Sequence, residues 1–247
     1  MRITILCHNV LWFQGMPYTS DQPSAPTEPV LNRLCALYRE LAPDVLCLQE
    51  VQDDATHRKV AASVGMAGVF CPAHRQPQYS GAVYWRHGNL AADSASANAR
   101  PWRMWQKVLV RAGIHDLVIC NIHLPSSRQL DEETAARARV TDLEQILTLS
   151  PKPDIIAGDF NEGPGGPSTA FLMQHGYVDS APLVQSKVSS TGEGKPRSDQ
   201  IWVSDALQHC VAGFSVMPWD KLKCAIPGKT HLSDHLPLRL DLEIPEA

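Results

Sequence analysis

Short apolar runs bounded by polar or turn-forming residues recur along the chain, and each predicts a β-strand. Residues 2–9, residues 44–50 and the stretch "IIAGDFN" at 155–161 are apolar runs that end in polar residues. Further predicted strands are "GVFCP", "SGAVYWR", "MWQKVLVR", "DLVICNIHL", "SDQIWVS", "CVAGFSVM" and "LPLRLDLEI". The pattern therefore predicts a protein with a large content of β-sheet.

Apolar residues at helical spacing predict helices between several of these strands. One apolar face is formed by Val30, Leu34, Leu37 and Leu41. Asp53 or Asp54 is a capping residue for a second helix that runs through about Val64. Two more helices are predicted at about 130–149 and 168–175.

The order of these elements favours one domain over residues 1–247, since no linker and no internal repeat interrupt it. Strands with helices between them indicate two packed sheets with helices on the outside. The segment at 89–102 predicts an exposed hairpin arm, and the segment at 192–198 predicts a solvated loop.

Composition narrows the class of protein. The chain has 247 residues, is 44% hydrophobic and carries a net charge of −4, and it contains no long basic run of the kind typical of dedicated nucleic-acid binders. Seven cysteines without a CxxC pair indicate reduced thiols. No segment has the length and apolar character of a membrane span, and "MRITILCHNV" lacks the features of a signal peptide. We expect a cytoplasmic protein.

Polar side chains stand where a buried strand would not favour them, at the ends of several predicted strands. They are Asn9, Glu50, His123, Asp159, Asn161, Asp199 and the triplet Ser233-Asp234-His235. Any one of them is explained equally well by a turn, because Asp, Asn and Ser are common turn residues. If the strand ends meet, however, the set provides oxygen ligands for a hard cation together with acid–base groups.

The motifs "LQE", "NIHL", "GDFN", "SDQIWVS" and "SDH", preceded by the Asn that ends the first strand, occur in this order along the chain. In that order they resemble the endonuclease/exonuclease/phosphatase superfamily of metal-dependent phosphoesterases, which includes deoxyribonuclease I. The resemblance extends from Asn9 to His235. It implies an α+β fold, a four-layer α/β/β/α sandwich of two mixed β-sheets flanked by helices, with the active site at one edge of the sheets.

The resemblance also implies a ligand set and a cofactor. Glu50 would bind Mg²⁺ or Mn²⁺, Asn9 would assist the metal or the phosphate, and Asp234 would bind a second metal or a water. Magnesium suits such a site because it prefers one or two carboxylates together with phosphate oxygens. Whether one ion or two would be bound stays open.

Further roles follow from the same resemblance. His235, held by Asp199, would face the scissile phosphate, and Asp159 would orient or deprotonate the attacking water. Asn161 would donate a hydrogen bond to a non-bridging oxygen, and His123 would contact the phosphate or the leaving group. Which of Asp159 and His235 is the base stays open.

Two arginines and the glycines of one segment complete the sequence-based predictions. Arg86, at the end of a strand, and Arg128, before a helix, are candidates for binding the substrate. A surface role explains both equally well. The glycines of the "GDFN" region would let the substrate approach the backbone closely.

We therefore expect a Mg²⁺-dependent hydrolase of phosphate monoesters or diesters that acts on a small molecule or a nucleic acid. The alternatives are a nuclease of loose specificity and a catalytically inactive binding protein on the same fold. A zinc hydrolase of another bond fits less well, because histidine pairs at ligand spacing are scarce. The oligomeric state stays open.

Overall fold

The computed structural model describes residues 1–21, 25–86, 90–94, 100–112, 115–186, 190–192 and 197–245. Within these residues, twelve strands form two sheets of six. The strands are β1 (Arg2–Asn9), β2 (Val45–Gln49), β3 (Ala67–Cys71), β4 (Gly81–Trp85), β5 (Leu90–Ser94), β6 (Met104–Ala112), β7 (His115–His123), β8 (Ile155–Asp159), β9 (Tyr177–Asp179), β10 (Asp199–Ser204), β11 (Val211–Val216) and β12 (Leu238–Glu243).

Four of the five helices described follow the predicted segments closely. The helices are α1 (Glu28–Leu41), α2 (Asp54–Val64), α3 (Glu132–Leu147), α4 (Pro167–Gln174) and the short α5 (Ser180–Leu183), which the sequence pattern does not predict. The side chain of Asp53 caps α2 by accepting a hydrogen bond from the backbone N–H of Thr56 at 2.7 Å. Because such a cap satisfies one of the free N–H groups of the first turn, it defines where the helix begins.

Each sheet has a parallel pair of strands at its centre. The first sheet has the order β11-β12-β1-β2-β4-β3, the second has the order β5-β6-β7-β8-β10-β9, and the parallel pairs are β1 with β2 and β7 with β8. The other pairings are antiparallel. Two strands of each sheet therefore bring their carboxyl ends to the same edge.

Apolar side chains fill three spaces between four layers. The inner faces of both sheets form one core, which includes Ile5, Cys47, Ile119 and Ile201. Helices α1 and α2 cover the outer face of the first sheet, and α3 and α4 cover the outer face of the second. The expected α/β/β/α sandwich is confirmed. All seven cysteines are free thiols, as predicted.

The segment predicted as a hairpin arm at 89–102 contains β5, which pairs antiparallel with the next strand, β6, while residues 89 and 95–99 lie outside the described residues. The loop predicted at 192–198 lies mostly outside them as well. Strand β9 is too short, at three residues, to give a clear pattern in the sequence.

Gly158 serves the packing of strands and not the approach of a substrate. A Cβ atom there would lie 1.9 Å from the carbonyl oxygen of Ile122 on the neighbouring strand, and the φ angle of Gly158 is +155°. Only glycine lets β7 and β8 approach this closely. The expectation that this glycine makes room for a substrate is thus corrected.

Candidate active site

The predicted polar residues gather at one edge of the two sheets. His123 and Asp159 end the parallel strands β7 and β8 and lie opposite each other, and Asp199 begins the antiparallel strand β10 opposite Asp159. In the first sheet, Asn9 ends β1 and Glu50 directly follows β2. Because the sheets are packed face to face, the two groups of side chains meet across the edge.

Asn9 joins the two sheets at this edge. Its Nδ2 donates hydrogen bonds to Oε1 of Glu50 at 3.1 Å and to Oδ2 of Asp159 at 3.2 Å. Its Oδ1 accepts from the backbone N–H of Leu11 at 3.1 Å. The amide therefore directs its NH₂ group toward the carboxylates. In this orientation Asn9 positions two carboxylates, and the expectation that it assists the metal or the phosphate stays a prediction.

Two residues of the site have a left-handed backbone conformation. Glu50 has a φ angle of +61° and Asn161 has a φ angle of +51°. A left-handed conformation costs free energy for a residue other than glycine. Such a conformation persists where the surrounding structure fixes it. Glu50 turns sharply at the end of β2, which brings its carboxylate to the edge.

His235 and Asp199 form a hydrogen-bonded pair, with Nδ1 of His235 2.8 Å from Oδ2 of Asp199. The hydroxyl of Thr191 donates to the same oxygen at 2.6 Å, which fixes the carboxylate. Burial alone would lower the pKa of His235, but Asp199 and Asp234 beside it raise that pKa well above its usual value. The imidazole is therefore protonated at neutral pH and can donate from Nε2.

Asp159 lies between the two histidines. Its Oδ2 is 4.0 Å from Nε2 of His235 and 3.5 Å from Nε2 of His123. Burial, reinforced by the charge of Asp199, raises the pKa of Asp159. A buried carboxylate with a raised pKa is suited to accepting a proton.

Asn161 lies just beyond β8, where a network of hydrogen bonds fixes it. Its backbone N–H donates to Oδ1 of Asp159 at 2.8 Å, and its Nδ2 donates to the carbonyl of Leu124 at 2.9 Å. One hydrogen of the Nδ2 group stays available, since an amide NH₂ carries two. Asn161 lines the cavity described below, so this donor is in reach of a ligand there.

Arg103 is a site residue that the sequence did not single out. It directly precedes β6, its side chain is buried, and its guanidinium contacts Nε2 of His123. The guanidinium also lies 3.8 Å from the ring centre of Tyr79, a cation–π contact. Burial, together with Arg103 and His235, holds the pKa of His123 well below its usual value, so His123 is neutral and accepts from Arg103.

A cavity of about 310 Å³ opens between these groups. Its polar floor includes Glu50, Arg103, Asp159, Asp234 and His235. The remaining lining residues are Leu11, Trp12, Tyr18, Asp21, Tyr79, Ser126, Ser127, Arg128, Gln129, Asn161, Glu162, Gly163 and Ser198. Arg128, predicted to bind substrate, thus lies on the cavity wall.

Arg86 lies elsewhere, which corrects the prediction that it binds substrate here. Strand β4 runs antiparallel to β2, with Gly81 opposite Gln49 and Trp85 opposite Val45. The end of β4 is therefore at the edge opposite the cavity. There the Nε of Arg86 donates to the carbonyl of Pro43 at 3.2 Å.

Unpaired buried oxygens indicate that the site fits a cation. Oε2 of Glu50, Oδ1 of Asp199 and Oδ1 of Asp234 are buried without a hydrogen-bond donor among the described residues. Burial, reinforced by Asp234, raises the pKa of Glu50 to about 8. An excess of buried carboxylates is stabilised by a divalent cation, and oxygen ligands are those that Mg²⁺ prefers.

A second group with metal-ligand chemistry lies beside the first. One ligand atom from each of Asp159, Asp199 and His235 can be chosen so that all three lie within 4.8 Å of one another. Asp199 and His235 are already paired through Nδ1, and Thr191 engages the same carboxylate oxygen. Oε2 of Glu50 and Oδ1 of Asp234, by contrast, have no hydrogen-bond donor among the described residues.

The residues that the sequence missed share a physical reason. Arg103 follows "ARPW" and precedes an ordinary apolar strand, so only the pairing of β6 with β7 brings it beside His123. Thr191 is eight residues before Asp199 in the sequence, and only the fold shows that its hydroxyl contacts that carboxylate. A contact between residues distant in sequence carries no local signal.

Comparison with known proteins agrees with this geometry. Residues 6–235 match the model of the Endonuclease/Exonuclease/phosphatase family. No curated protein sequence matches the chain. Among the described residues, no helix is both long enough and apolar enough to cross a bilayer.

Solved structures share the fold at low sequence identity. A D. rerio TDP2 humanized by 14 mutations superposes with a TM-score of 0.72 at 18% identity, covering 98% of this chain and 99% of that one. An endonuclease/exonuclease/phosphatase from Beutenbergia cavernae has a TM-score of 0.69 at 18% identity, with coverage of 98% and 72%. AP endonuclease LMAP from Leishmania major has a TM-score of 0.69 at 17% identity, with coverage of 99% and 88%.

Proposed function

The chain belongs to the endonuclease/exonuclease/phosphatase family, whose members are generally hydrolases of phosphoester bonds, and from this premise we propose that it is a divalent-metal-dependent phosphoesterase. The reaction is in-line attack of an activated water on a phosphate ester. The observation that carries the proposal is the meeting of Glu50, Asp159 and His235 around one cavity, with carboxylate oxygens that lack donors.

Glu50 would hold the divalent cation, Mg²⁺ or Mn²⁺, with Asp234 close enough to contribute. When bound, such a cation neutralises negative charge on the phosphate oxygens. Asn9 keeps the carboxylates of Glu50 and Asp159 in place through the two hydrogen bonds that its Nδ2 donates. The three side chains come from different strands or loops, so the folded sheets preorganise them.

Asp159 and His235 have different roles in the proposed reaction. Because its carboxylate neighbours keep His235 protonated, its Nε2 donates a hydrogen bond to a phosphate oxygen and stabilises the charge that develops there. Asp159 is then the group that accepts a proton from the attacking water. Asp199 and Thr191 fix the orientation of the imidazole.

Two further donors face the phosphate. Arg103 provides a buried cation whose plane is fixed by Tyr79, and Asn161 provides one N–H of its amide. A guanidinium suits phosphate because it can donate two parallel hydrogen bonds. His123 keeps Arg103 in place as a hydrogen-bond acceptor.

The cavity favours a small phosphate ester as substrate. Its volume of about 310 Å³ is at the lower end of the range for small-molecule pockets. Arg128 is the exposed arginine on its described wall, whereas Asp21 and Glu162 add negative charge. A groove for a long nucleic acid would carry a track of cations. A nuclease activity of loose specificity is the alternative.

A substrate panel tests the proposal. It contains bis-p-nitrophenyl phosphate, p-nitrophenyl phosphate, sugar phosphates, phospholipid headgroups, single-stranded DNA, plasmid DNA and RNA. The wild-type protein should hydrolyse a small ester in Mg²⁺ or Mn²⁺, lose the activity in EDTA and regain it when the metal is restored. Preferred cleavage of DNA or RNA would favour the nuclease instead.

Variants locate the activity at this site. Asp159→Ala and His235→Ala should lower kcat by at least ~100-fold, the scale of a lost acid–base group, while the circular dichroism spectrum stays that of the wild type. Asp220→Ala and His175→Ala change exposed residues of the same types and should leave kcat unaltered. Full activity in either site variant, or activity that EDTA does not affect, would contradict the proposal.

A further inference from the structure

A completely buried arginine lies directly behind the site. Arg139 is on α3, and its side chain has no exposed surface. Its NH2 group is 2.5 Å from a carboxylate oxygen of Glu132 and 3.2 Å from Oε1 of Glu162. A buried charge is costly unless it is paired, so this position requires both partners.

The same guanidinium contacts both loops that follow the central strands of the second sheet. Its NH1 group donates to the carbonyl of Pro125, two residues after His123, at 3.2 Å. It also donates to the carbonyl of Asn161, two residues after Asp159, at 3.4 Å. One rigid planar group thus links α3 to the two chain segments that leave the site.

The backbone conformation of Asn161 needs support from neighbouring groups such as Arg139. With a φ angle of +51°, it occupies the left-handed region, which is unfavourable for a residue with a side chain. Arg139 engages its carbonyl, Asp159 engages its N–H and Leu124 engages its side chain. Loss of Arg139 would remove the donor to the carbonyl of Asn161.

Glu162 lines the cavity, and its carboxylate, which is turned toward α4 and Arg139, brings a negative charge close to a phosphate bound there. Its Oε2 accepts from the backbone N–H of Ser168 at 2.8 Å and from that of Thr169 at 3.4 Å, at the start of α4. Its Oε1 faces Arg139. The side chain is only 7% exposed, so solvent screens its charge poorly and Arg139 is the cation that balances it.

We propose that Arg139 is a positioning residue with two separable effects on the reaction, an inference that rests on the proposed function. Through the carbonyls of Pro125 and Asn161 it keeps Asp159 and Asn161 in their reactive arrangement, which affects kcat. Through Glu162 it balances a negative charge on the wall of the phosphate cavity, which affects KM.

Four variants separate the two effects, with the ester found in the substrate panel as the probe. Arg139→Met should lower kcat by ~10- to ~100-fold, as expected for misplaced reacting groups, and raise KM by ~5-fold or more. The single variant Glu162→Gln should have a KM equal to or lower than that of the wild type. The double variant Arg139→Met/Glu162→Gln should recover the wild-type KM while kcat stays low.

Arg139→Lys covers the case in which Arg139→Met does not fold. Lysine keeps the positive charge beside Glu162 but cannot bond two carbonyls and two carboxylates at once. It should keep KM within ~2-fold of the wild type and lower kcat.

Lys107→Met is the matched control. Lys107 is another buried cation, on β6, and its Nζ donates to the carbonyl of Ser150, which lies beyond the C-terminal end of α3. Its loss should reduce the melting temperature without altering kcat or KM of the folded protein.

The inference would be overturned if Arg139→Met or Arg139→Lys, folded at the assay temperature, had the kcat of an active wild-type enzyme. That result would leave the proposed function intact. Equal KM values for the single and double variants would overturn the charge-balancing effect.

Discussion

Glu50 shows how a single residue connects folding with ligand binding. Its carboxylate is held at the sheet edge by a left-handed backbone and by Asn9, and burial with Asp234 nearby raises its pKa to about 8. The folded, metal-free protein therefore binds a proton at Glu50 more tightly than the unfolded chain does. The stability that this proton contributes is complete below the ordinary carboxyl pKa and is lost as the pH rises through about 8.

Glu50→Gln should reduce this pH dependence, because glutamine does not titrate. In EDTA, the melting temperature of the wild type should fall by ~5 °C or more from about pH 5 to about pH 8 relative to the variant. Thermal melts followed by circular dichroism measure the difference. Parallel curves for the two proteins would show that Glu50 keeps an ordinary pKa.

Arg103 gives a second prediction at the level of a residue. Arg103→Met removes the buried cation and should lower kcat/KM for a phosphate ester by about 100-fold, the scale of a lost charge-stabilising donor. Arg103→Lys keeps the charge but loses the planar stacking on Tyr79 and the paired N–H donors, so it should recover only part of the loss. Steady-state kinetics on both variants test this, and wild-type kcat/KM in Arg103→Met would remove Arg103 from the site.

Sequence patterns identified site residues wherever a polar side chain ended an apolar strand. Glu50 and Asp159 stand out for that reason, and His235 stands out because it precedes an apolar strand. The orientation of Asn9 could not be predicted, because it depends on a bond from the backbone of Leu11. The failed prediction for Arg86 has a similar cause: the direction of β4 relative to β2 decides which edge of the sheet the residue occupies, and local sequence does not specify that direction.

At the scale of elements, the long amphipathic segments were predictable and the short ones were not. Helices α1 and α3 have apolar faces that repeat over three or more turns, and Asp53 marks the start of α2. The three-residue strand β9 and the four-residue helix α5 are too short to show a period. Their structure depends on pairing with β10 and packing on it, which are contacts distant in sequence.

The contact between β7 and β8 leads to a prediction about Gly158. Gly158→Ala would place a methyl group 1.9 Å from the carbonyl oxygen of Ile122, so the two strands that carry His123 and Asp159 would have to separate. We expect a loss of more than about 3 kcal/mol in the free energy of unfolding, measured by urea titration. Gly213→Ala is the control, because the nearest atom to its new Cβ would be at an ordinary 3.5 Å. A loss no larger than that of the control would contradict the strand geometry.

For the molecule as a whole, the site is a junction between the two sheets. Asn9 and Glu50 come from the first sheet, Asp159 and Asp199 come from the second, and the hydrogen bonds of Asn9 cross between them. The inner core below this edge is apolar, so the carboxylates at the rim repel one another with few nearby cations to balance them. A divalent cation bound there would connect the sheets as well as neutralise the charge.

Mg²⁺ or Mn²⁺ should therefore stabilise the entire fold, because a ligand that binds only the folded state shifts the unfolding equilibrium. At a metal concentration of about 100 times Kd, the gain is ~2.7 kcal/mol, or roughly 5–10 °C in melting temperature for a chain of this size. Scanning calorimetry with and without metal measures it. Glu50→Gln should lose most of the gain and Asp220→Asn, on the exposed surface, should keep it. An equal gain in Glu50→Gln would mean that the stabilising ion is bound elsewhere, and the cation site at the junction of the sheets would have to be abandoned.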